Sequence, residues 1–509
     1  MDLFDLVVVG GGVNGAGIAR DAAGRGLSVL LCEKDDLAQG TSSRSGKLIH
    51  GGLRYLEHHE FRLVREALVE REVLLRAAPH IVRPMRFVLP HGPGQRPAWL
   101  VRLGLLLYDH LGGRELLPPT RSVDLREGPE GEPLRPAYAR GFEYSDCWVD
   151  DARLVVLNAL DAARRGAEVL TRTALAGGRR DGDAWAVELE DRRTGRVRAA
   201  RARCVVNAAG PWVERVLGRL GEGGGTRRVR LVKGSHLVTR KFWEGPQAYL
   251  LQNTDGRVVF VNPYGDEGLA LIGTTEVPVE GPPDEVAVSD AEVGYLLDAV
   301  NRYFRRQLVP EDVVDRYAGV RPLHDDKAAS PSAVTRDYAF DLAPPRPGGA
   351  PPLLSVFGGK ITTYRRLAEH ALGRLGPFFP AMGPAWTAGA PLPGGDIPAA
   401  DFQGWLRRLR VTRPWLPPAL ARHYGRLYGT RVAELLAGAA GVGDLGRHFG
   451  GLLYEREARF LAEREWAETA DDILARRTKH HLHLAPDERR AFEDWLEDRA
   501  AARPTPAAV

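Results

Sequence analysis

The sequence predicts an α/β chain: a parallel-strand unit first, then a β-rich stretch, then a helical C-terminal segment. Three observations carry this. Strand, glycine loop, helix and second strand follow one another before residue 33. Between 168 and 273, β-like runs alternate with glycine turns. Finally, a Pro/Gly-rich linker at 388–399 opens a stretch that reads as helical to about Ala501.

In order, Leu6-Val7-Val8-Val9 is a short continuous apolar run bounded by glycine, the pattern of a strand buried on both faces. A helix over 14–25 and a second parallel strand over 28–32 follow. Phe61, Val64, Leu68 and Leu75 recur at helical spacing over 60–78, with Pro79 as a stop. Residues 98–111 are apolar on nearly all sides and flanked by Arg96, Arg102 and Arg114. Helix 151–165 precedes strands at 168–173, 184–190 and 196–206. The Gly-rich linker 221–225 leads to strands at 228–239, 257–262 and 268–273. Ser289 is placed to cap a helix running to about Phe304, and strand 353–357 precedes helix 360–375.

The chain has 509 residues, 44% hydrophobic and 27% charged, with a net charge of +4. That length calls for two or three domains, and the mild charge demands no nucleic-acid partner. Cys32, Cys147 and Cys204 are far apart and odd in number, which argues against a disulfide framework and for a reducing cytoplasm. No signal peptide is expected. No window reaches the ~18 apolar residues of a membrane-spanning helix.

Gly10-Gly11-Gly12-Val13-Asn14-Gly15 is a GxGxxG between a strand and a helix, and Glu33 ends the next strand. Gly10 permits the turn, Gly12 lets a pyrophosphate approach, and Gly15 allows close helix–strand packing. The helix N-terminus attracts the phosphates, and Glu33 accepts from ribose hydroxyls. An acid at 33 disfavours a 2′-phosphate, leaving FAD or NAD. Two further glycine turns follow β-runs, at Ala208-Ala209-Gly210 and at Gly358-Gly359-Lys360. Each would return the chain to one long cofactor, which favours FAD.

Downstream lies Ser43-Arg44-Ser45-Gly46-Lys47-Leu48-Ile49-His50-Gly51-Gly52-Leu53-Arg54-Tyr55. Oxidising a secondary alcohol needs a base for the hydroxyl proton. His50 is the first candidate and His236 the second, although a lone histidine is more often a packing or surface residue. Arg54 offers a planar two-donor fork for an anion and Tyr55 a hydroxyl. The serines from Ser42 to Ser45, with Thr41 before them, are candidates to donate to the cofactor; a plain polar loop is the competing reading. His480, His481 and His483 read as a solvated surface tract, and no metal is expected.

Together these segments, with Gly141–Asp151, Lys233-Gly234-Ser235-His236, Ile272-Gly273-Thr274-Thr275 and Gly319-Val320-Arg321-Pro322-Leu323, resemble the FAD-dependent, membrane-associated glycerol-3-phosphate dehydrogenases of bacteria. The resemblance covers almost the whole chain. It implies a glutathione-reductase-type FAD-binding Rossmann domain (about 1–80, 150–225 and 350–390). An antiparallel-β substrate domain is interleaved (about 81–149 and 226–349), and 391–509 form an all-α cap. It implies oxidation of sn-glycerol 3-phosphate to dihydroxyacetone phosphate, by hydride transfer from C2 to flavin N5. Ubiquinone or menaquinone is the implied acceptor, and the inner face of the cell membrane the implied location.

Arg321, Arg336 and Lys360 are the cations the resemblance puts around substrate and flavin, with Lys233 and Thr274 in the substrate pocket. Lys360, opening a helix, would add to the positive end facing the flavin. The expected cofactor contacts are Gly10, Gly12, Asn14, Gly15, Glu33, Thr41, Ser42, Ser43, Ala209, Gly210, Gly358, Gly359, Lys360 and Thr362. The body and arginines of 96–112 suit a bilayer interface; a buried core helix is the alternative. Three other functions stay open at this point: an oxidase using O₂, an amine or amino-acid oxidase of the same fold, and a non-catalytic FAD-fold escort. Oligomeric state is open too, a homodimer included.

Overall fold

The computed structural model describes residues 2–92, 94–223, 228–265, 268–324, 337–343 and 350–501. Arg336 lies outside them. Within these residues an eight-stranded sheet is built around strand Leu3–Val9. Val29–Cys32 and then Glu168–Leu170 run parallel to it on one side; Val197–Asn207 and then Leu353–Phe357 do so on the other. Ala339–Ala343 closes the far edge antiparallel. A hairpin, Thr173–Asp181 with Ala184–Asp191, pairs with the first half of Val197–Asn207.

The apolar run at the centre is explained by burial on both faces. Leu6 and Val8 pack with helices Val13–Gly24, Asp151–Arg164 and Tyr364–Leu375, while Val7 and Val9 pack with the hairpin and helix Val213–Arg219. Successive side chains of a strand point to opposite sides, so a covered sheet needs no polar positions.

Ten strands form a second sheet. It is antiparallel except where Val82–His91 meets Ala248–Gln252. Helix Asp290–Tyr303 packs on it, started by a reciprocal pair in which Ser289 and Glu292 satisfy each other's backbone N–H groups. The two-residue strand Leu48–Ile49 joins this sheet, carrying the His50 segment to its edge. Ala339–Ala343, by contrast, joins the first sheet although it falls in the stretch expected to be part of the β-rich domain.

Beyond the linker, helices Phe402–Thr412, Pro418–Tyr428, Glu455–Arg464 and Pro486–Ala501 enclose their own core. A small hairpin, His448–Gly450 with Leu453–Tyr454, interrupts the expected all-helical run. Buried ion pairs tie this unit to the first sheet's layer. Arg477 and Arg476 meet Asp36, and Arg153 meets Glu465, which also holds Arg431. Buried charges persist only when paired in this way.

Helix Tyr364–Leu375 begins four residues after Lys360, behind the short turn Ile361–Thr363, so Lys360 does not open it. His480 is buried, not solvated, because its turn folds under helices Pro418–Tyr428 and Glu455–Arg464.

Candidate active site

The ends of the central strands converge on one cavity of about 1330 Å³ between the two sheets. Small-molecule sites usually span about 300–1,000 Å³, so this one has room for a long cofactor and a second molecule. At its floor, Gly10 has φ +113° and a side chain there would strike the Ala208 carbonyl. A side chain on Gly15 would lie 1.9 Å from the Gly10 carbonyl oxygen. The glycine loop is therefore fixed by close backbone approach.

Glu33 accepts from the Gly11 N–H (2.6 Å) and the Asp35 N–H (3.0 Å), and burial pushes its carboxyl up. Ser42 Oγ accepts from the Val13 N–H at the helix start (3.0 Å). Asn14 Nδ2 donates to the Gly358 carbonyl (3.2 Å), joining the first glycine loop to the third. Its Oδ1 is buried without a hydrogen-bond partner among the described residues. Gly12, Thr41, Ala209, Gly210, Gly359 and Thr362 also line the cavity. A positive helix end, an acid closing the second strand and glycines at all three turns fit FAD. Ser43 and Gly15 do not reach the cavity wall; the Ser43 carbonyl accepts from Lys47 Nζ.

Opposite this cradle stand His50, Arg54, Tyr55, His236, Thr274, Arg321 and Lys360. The His50 backbone is clamped by Thr362 Oγ1, which accepts from its N–H (3.2 Å) and donates to its carbonyl (3.3 Å). Phe260 meets the His50 ring edge-on at 6.0 Å. Burial first, then the charges of Lys360 and Arg71, push this imidazole down to about 3, so the ring is neutral and a weak base until a negative charge offsets those cations. His236 stacks on Tyr317 (5.0 Å), and burial with the Arg321 and Lys47 charges also pushes it down to about 3.

Arg54 makes no hydrogen bond or ion pair with any described residue, although it lines the cavity beside His50. Arg321 donates to Thr274 Oγ1 (3.1 Å) and faces Glu276 at 3.7 Å. A side chain on Gly234 would lie 2.6 Å from Arg321 Nη2, so glycine is what lets this arginine cross its strand.

Lys233 is not brought to the cavity. Along strand Val229–Arg240, Gly234 and His236 face inward, which turns Lys233 and Ser235 to the other face, where both bind Glu292. Alternation also reveals residues the sequence reading missed: Val258, Phe260 and Asn262 all line the cavity. Asn262 Oδ1 is buried with no hydrogen-bond partner among the described residues. A second missed group is Tyr108, whose hydroxyl accepts from the Gly51 N–H (2.8 Å) and donates to Asp146, itself bound by Arg71. It ties helix Ala98–Leu111 to the His50 loop.

Fold and site define a flavin-dependent oxidoreductase whose cavity has a second half lined by cations. The chain belongs to the FAD dependent oxidoreductase family, matched over residues 5–362. Residues 385–496 match the C-terminal domain of alpha-glycerophosphate oxidase. Over 495 residues the chain is 61% identical to the D-erythritol 1-phosphate dehydrogenase of Brucella abortus, covering 97% of this chain and 98% of that protein. It is 54% identical to a glycerol-3-phosphate dehydrogenase of Pseudomonas aeruginosa over 503 residues (99% and 97%). With the aerobic glycerol-3-phosphate dehydrogenase of Escherichia coli the identity is 52% over 503 residues (99% of both). A crystal structure of the Bacillus halodurans glycerol-3-phosphate dehydrogenase complexed with FAD superposes with a TM-score of 0.75 at 26% identity, covering 100% of this chain and 96% of that one. FAD is the cofactor, and NAD is set aside.

Proposed function

We propose that the chain oxidises the secondary alcohol of sn-glycerol 3-phosphate to dihydroxyacetone phosphate. The observation that carries this reading is Arg54. An arginine lining the cavity with no hydrogen bond or ion pair to any described residue is poised for an anion, and its fork matches phosphate oxygens. FAD, when bound, supplies the two-electron acceptor for the hydride leaving C2. His50 takes the hydroxyl proton as the carbonyl forms, its ring being unprotonated beforehand. The proton's positive charge on the ring is offset by the incoming dianion. Arg321, steadied by Thr274, supplies a second cation, and Lys360 a third from the glycine-turn side.

The electrons pass on to a membrane quinone in this reading, with the protein lying peripherally on the inner face of the cell membrane. Among the described residues no helix is long and apolar enough to cross a bilayer. Helix Ala98–Leu111, however, exposes Trp99, Leu100, Leu103, Leu106 and Leu107, which excludes the buried-core alternative for it. A second substrate reading, D-erythritol 1-phosphate, is favoured by the 61% identity to the Brucella abortus enzyme.

Anaerobic flavin bleaching tests the proposal. Stoichiometric bleaching by sn-glycerol 3-phosphate, with none by glycerol or glycine, is expected. Bleaching only by D-erythritol 1-phosphate would move the substrate and leave the polyol-phosphate chemistry standing. No bleaching by either would overturn it. Quinone reduction compared with O₂ uptake then assigns the acceptor.

A further inference from the structure

We propose that the C-terminal helical unit holds one divalent metal ion of the zinc type between His423, Glu457 and His480, a site separate from the catalytic cavity. His423 projects from helix Pro418–Tyr428, Glu457 from the first turn of Glu455–Arg464, and His480 from the turn His480–Leu482. One ligand atom from each lies within 4.8 Å of the other two. His423 Nε2 is 2.9 Å from Glu457 Oε1, and His480 Nε2 is 3.7 Å from Glu457 Oε2. Bonds of about 2.0–2.1 Å in a tetrahedral zinc site set ligand atoms roughly 3.4 Å apart. The two observed separations bracket that value.

Charge makes the second argument. The Glu457 and His480 side chains are 0% and 1% exposed, and that of His423 8%. Among the described residues the ion-pair partners of Glu457 are the two imidazoles alone; no arginine or lysine reaches it. A buried carboxylate is costly unless positive charge compensates it. A dication bound by all three residues supplies compensating charge. Among the described residues Glu457 Oε2 accepts no hydrogen bond, which leaves a lone pair for a metal. Tyr428 donates to Oε1 (2.8 Å) and orients the carboxylate, the outer support that metal-bound carboxylates usually have.

Two imidazoles and one carboxylate suit zinc and its borderline-soft neighbours better than calcium or magnesium. None of the three residues lines the catalytic cavity, so the ion's role is structural. It pins two helices and a turn whose ligands are separated by 34 and 23 residues in the chain. The competing occupant is a proton shared between the carboxylate and the rings.

Metal analysis of the FAD-loaded, tag-free protein decides between them. About one zinc per chain is expected, or uptake of one zinc after chelation and dialysis, with a melting temperature that falls on chelation and returns with ZnCl₂. His423→Gln and Glu457→Gln should lose the zinc, while flavin bleaching by the polyol phosphate persists in any variant that folds. Absence of zinc from the wild type, together with no uptake and no zinc-dependent shift in melting, overturns the site. Because that result comes from the wild-type protein, the outcome stands even if both variants fail to fold.

Discussion

Lys360 holds its ammonium 3.6 Å from the centre of the Tyr55 ring. This contact joins the third glycine turn to the Arg54–Tyr55 segment across the cavity, and it gives Lys360 a different job from charging a helix end. Such cation–π contacts are worth roughly 2 kcal/mol when desolvated. Tyr55→Phe should therefore keep most of the flavin reduction rate, while Tyr55→Leu should lower it by about 10-fold, measured by anaerobic stopped flow. Equal rates in the two variants would mean that the ring does not position Lys360.

Removing Arg54 should separate binding from stability. It makes no hydrogen bond or ion pair with a described residue, so Arg54→Ala should leave the melting temperature within about 1 °C of the wild type. A charge-assisted bond to phosphate is worth about 1.5–3 kcal/mol, so KM for the phosphorylated substrate should rise by roughly 10- to 150-fold. Lysine at 54 should recover only part of this, because it lacks the two-donor fork. An unchanged KM would take the phosphate away from Arg54.

His50→Gln tests the base. General-base catalysis contributes about 10²–10⁴-fold, and the clamp on His50 runs through its backbone, which glutamine retains. FAD content should therefore be normal while the flavin reduction rate drops by that factor. Reduction at the wild-type rate would pass the role to His236 or to water.

His236 makes stability depend on pH with a definite sign. Its folded value is near 3 and the unfolded value near 6.5, so between those limits the unfolded chain binds more protons. Stability is complete above about pH 6.5 and declines as pH falls toward 3. In His236→Asn this contribution disappears, and the loss of stability between pH 6.5 and 4.5 should be shallower than in the wild type. Parallel urea-denaturation profiles over that range would contradict the assignment.

The cofactor half of the site is legible because each of its parts sits inside a local pattern. Gly10, Gly12 and Gly15 flank a helix start, Glu33 ends the next strand, and Gly358 and Gly359 follow a buried run. The substrate half depends on strand register and sheet pairing, which carry no short-range signature. Lys233 is one residue out of phase with His236's face and so misses the cavity, whereas Phe260 and Asn262 reach it from a strand with no motif. The buried position of His480 was illegible for a similar reason. A His-rich basic tract looks solvated until two distant helices close over it.

Helix Ala98–Leu111 has one side in the core and the other in solvent. Leu105 and Tyr108 face inward, and Tyr108 reaches the Gly51 N–H beside His50. On the outer side Trp99 is 69% and Leu103 54% exposed, with Leu106 and Leu107 alongside. Exposed apolar surface of this extent on one helix marks an interaction face, and the sided arrangement suits insertion into a bilayer interface. Trp99→Gln, Leu103→Gln and Leu107→Gln together remove three large apolar groups. At roughly 1–2 kcal/mol each for partial burial, liposome partitioning should weaken by about 100-fold or more. Flavin bleaching by the substrate should be unaffected, because none of the three lines the cavity. Co-sedimentation with vesicles of mixed anionic and neutral lipid measures the first quantity. Retention of full vesicle binding by the triple variant would exclude this helix as the membrane contact, and the inward pair Leu105 and Tyr108 would then be its whole role.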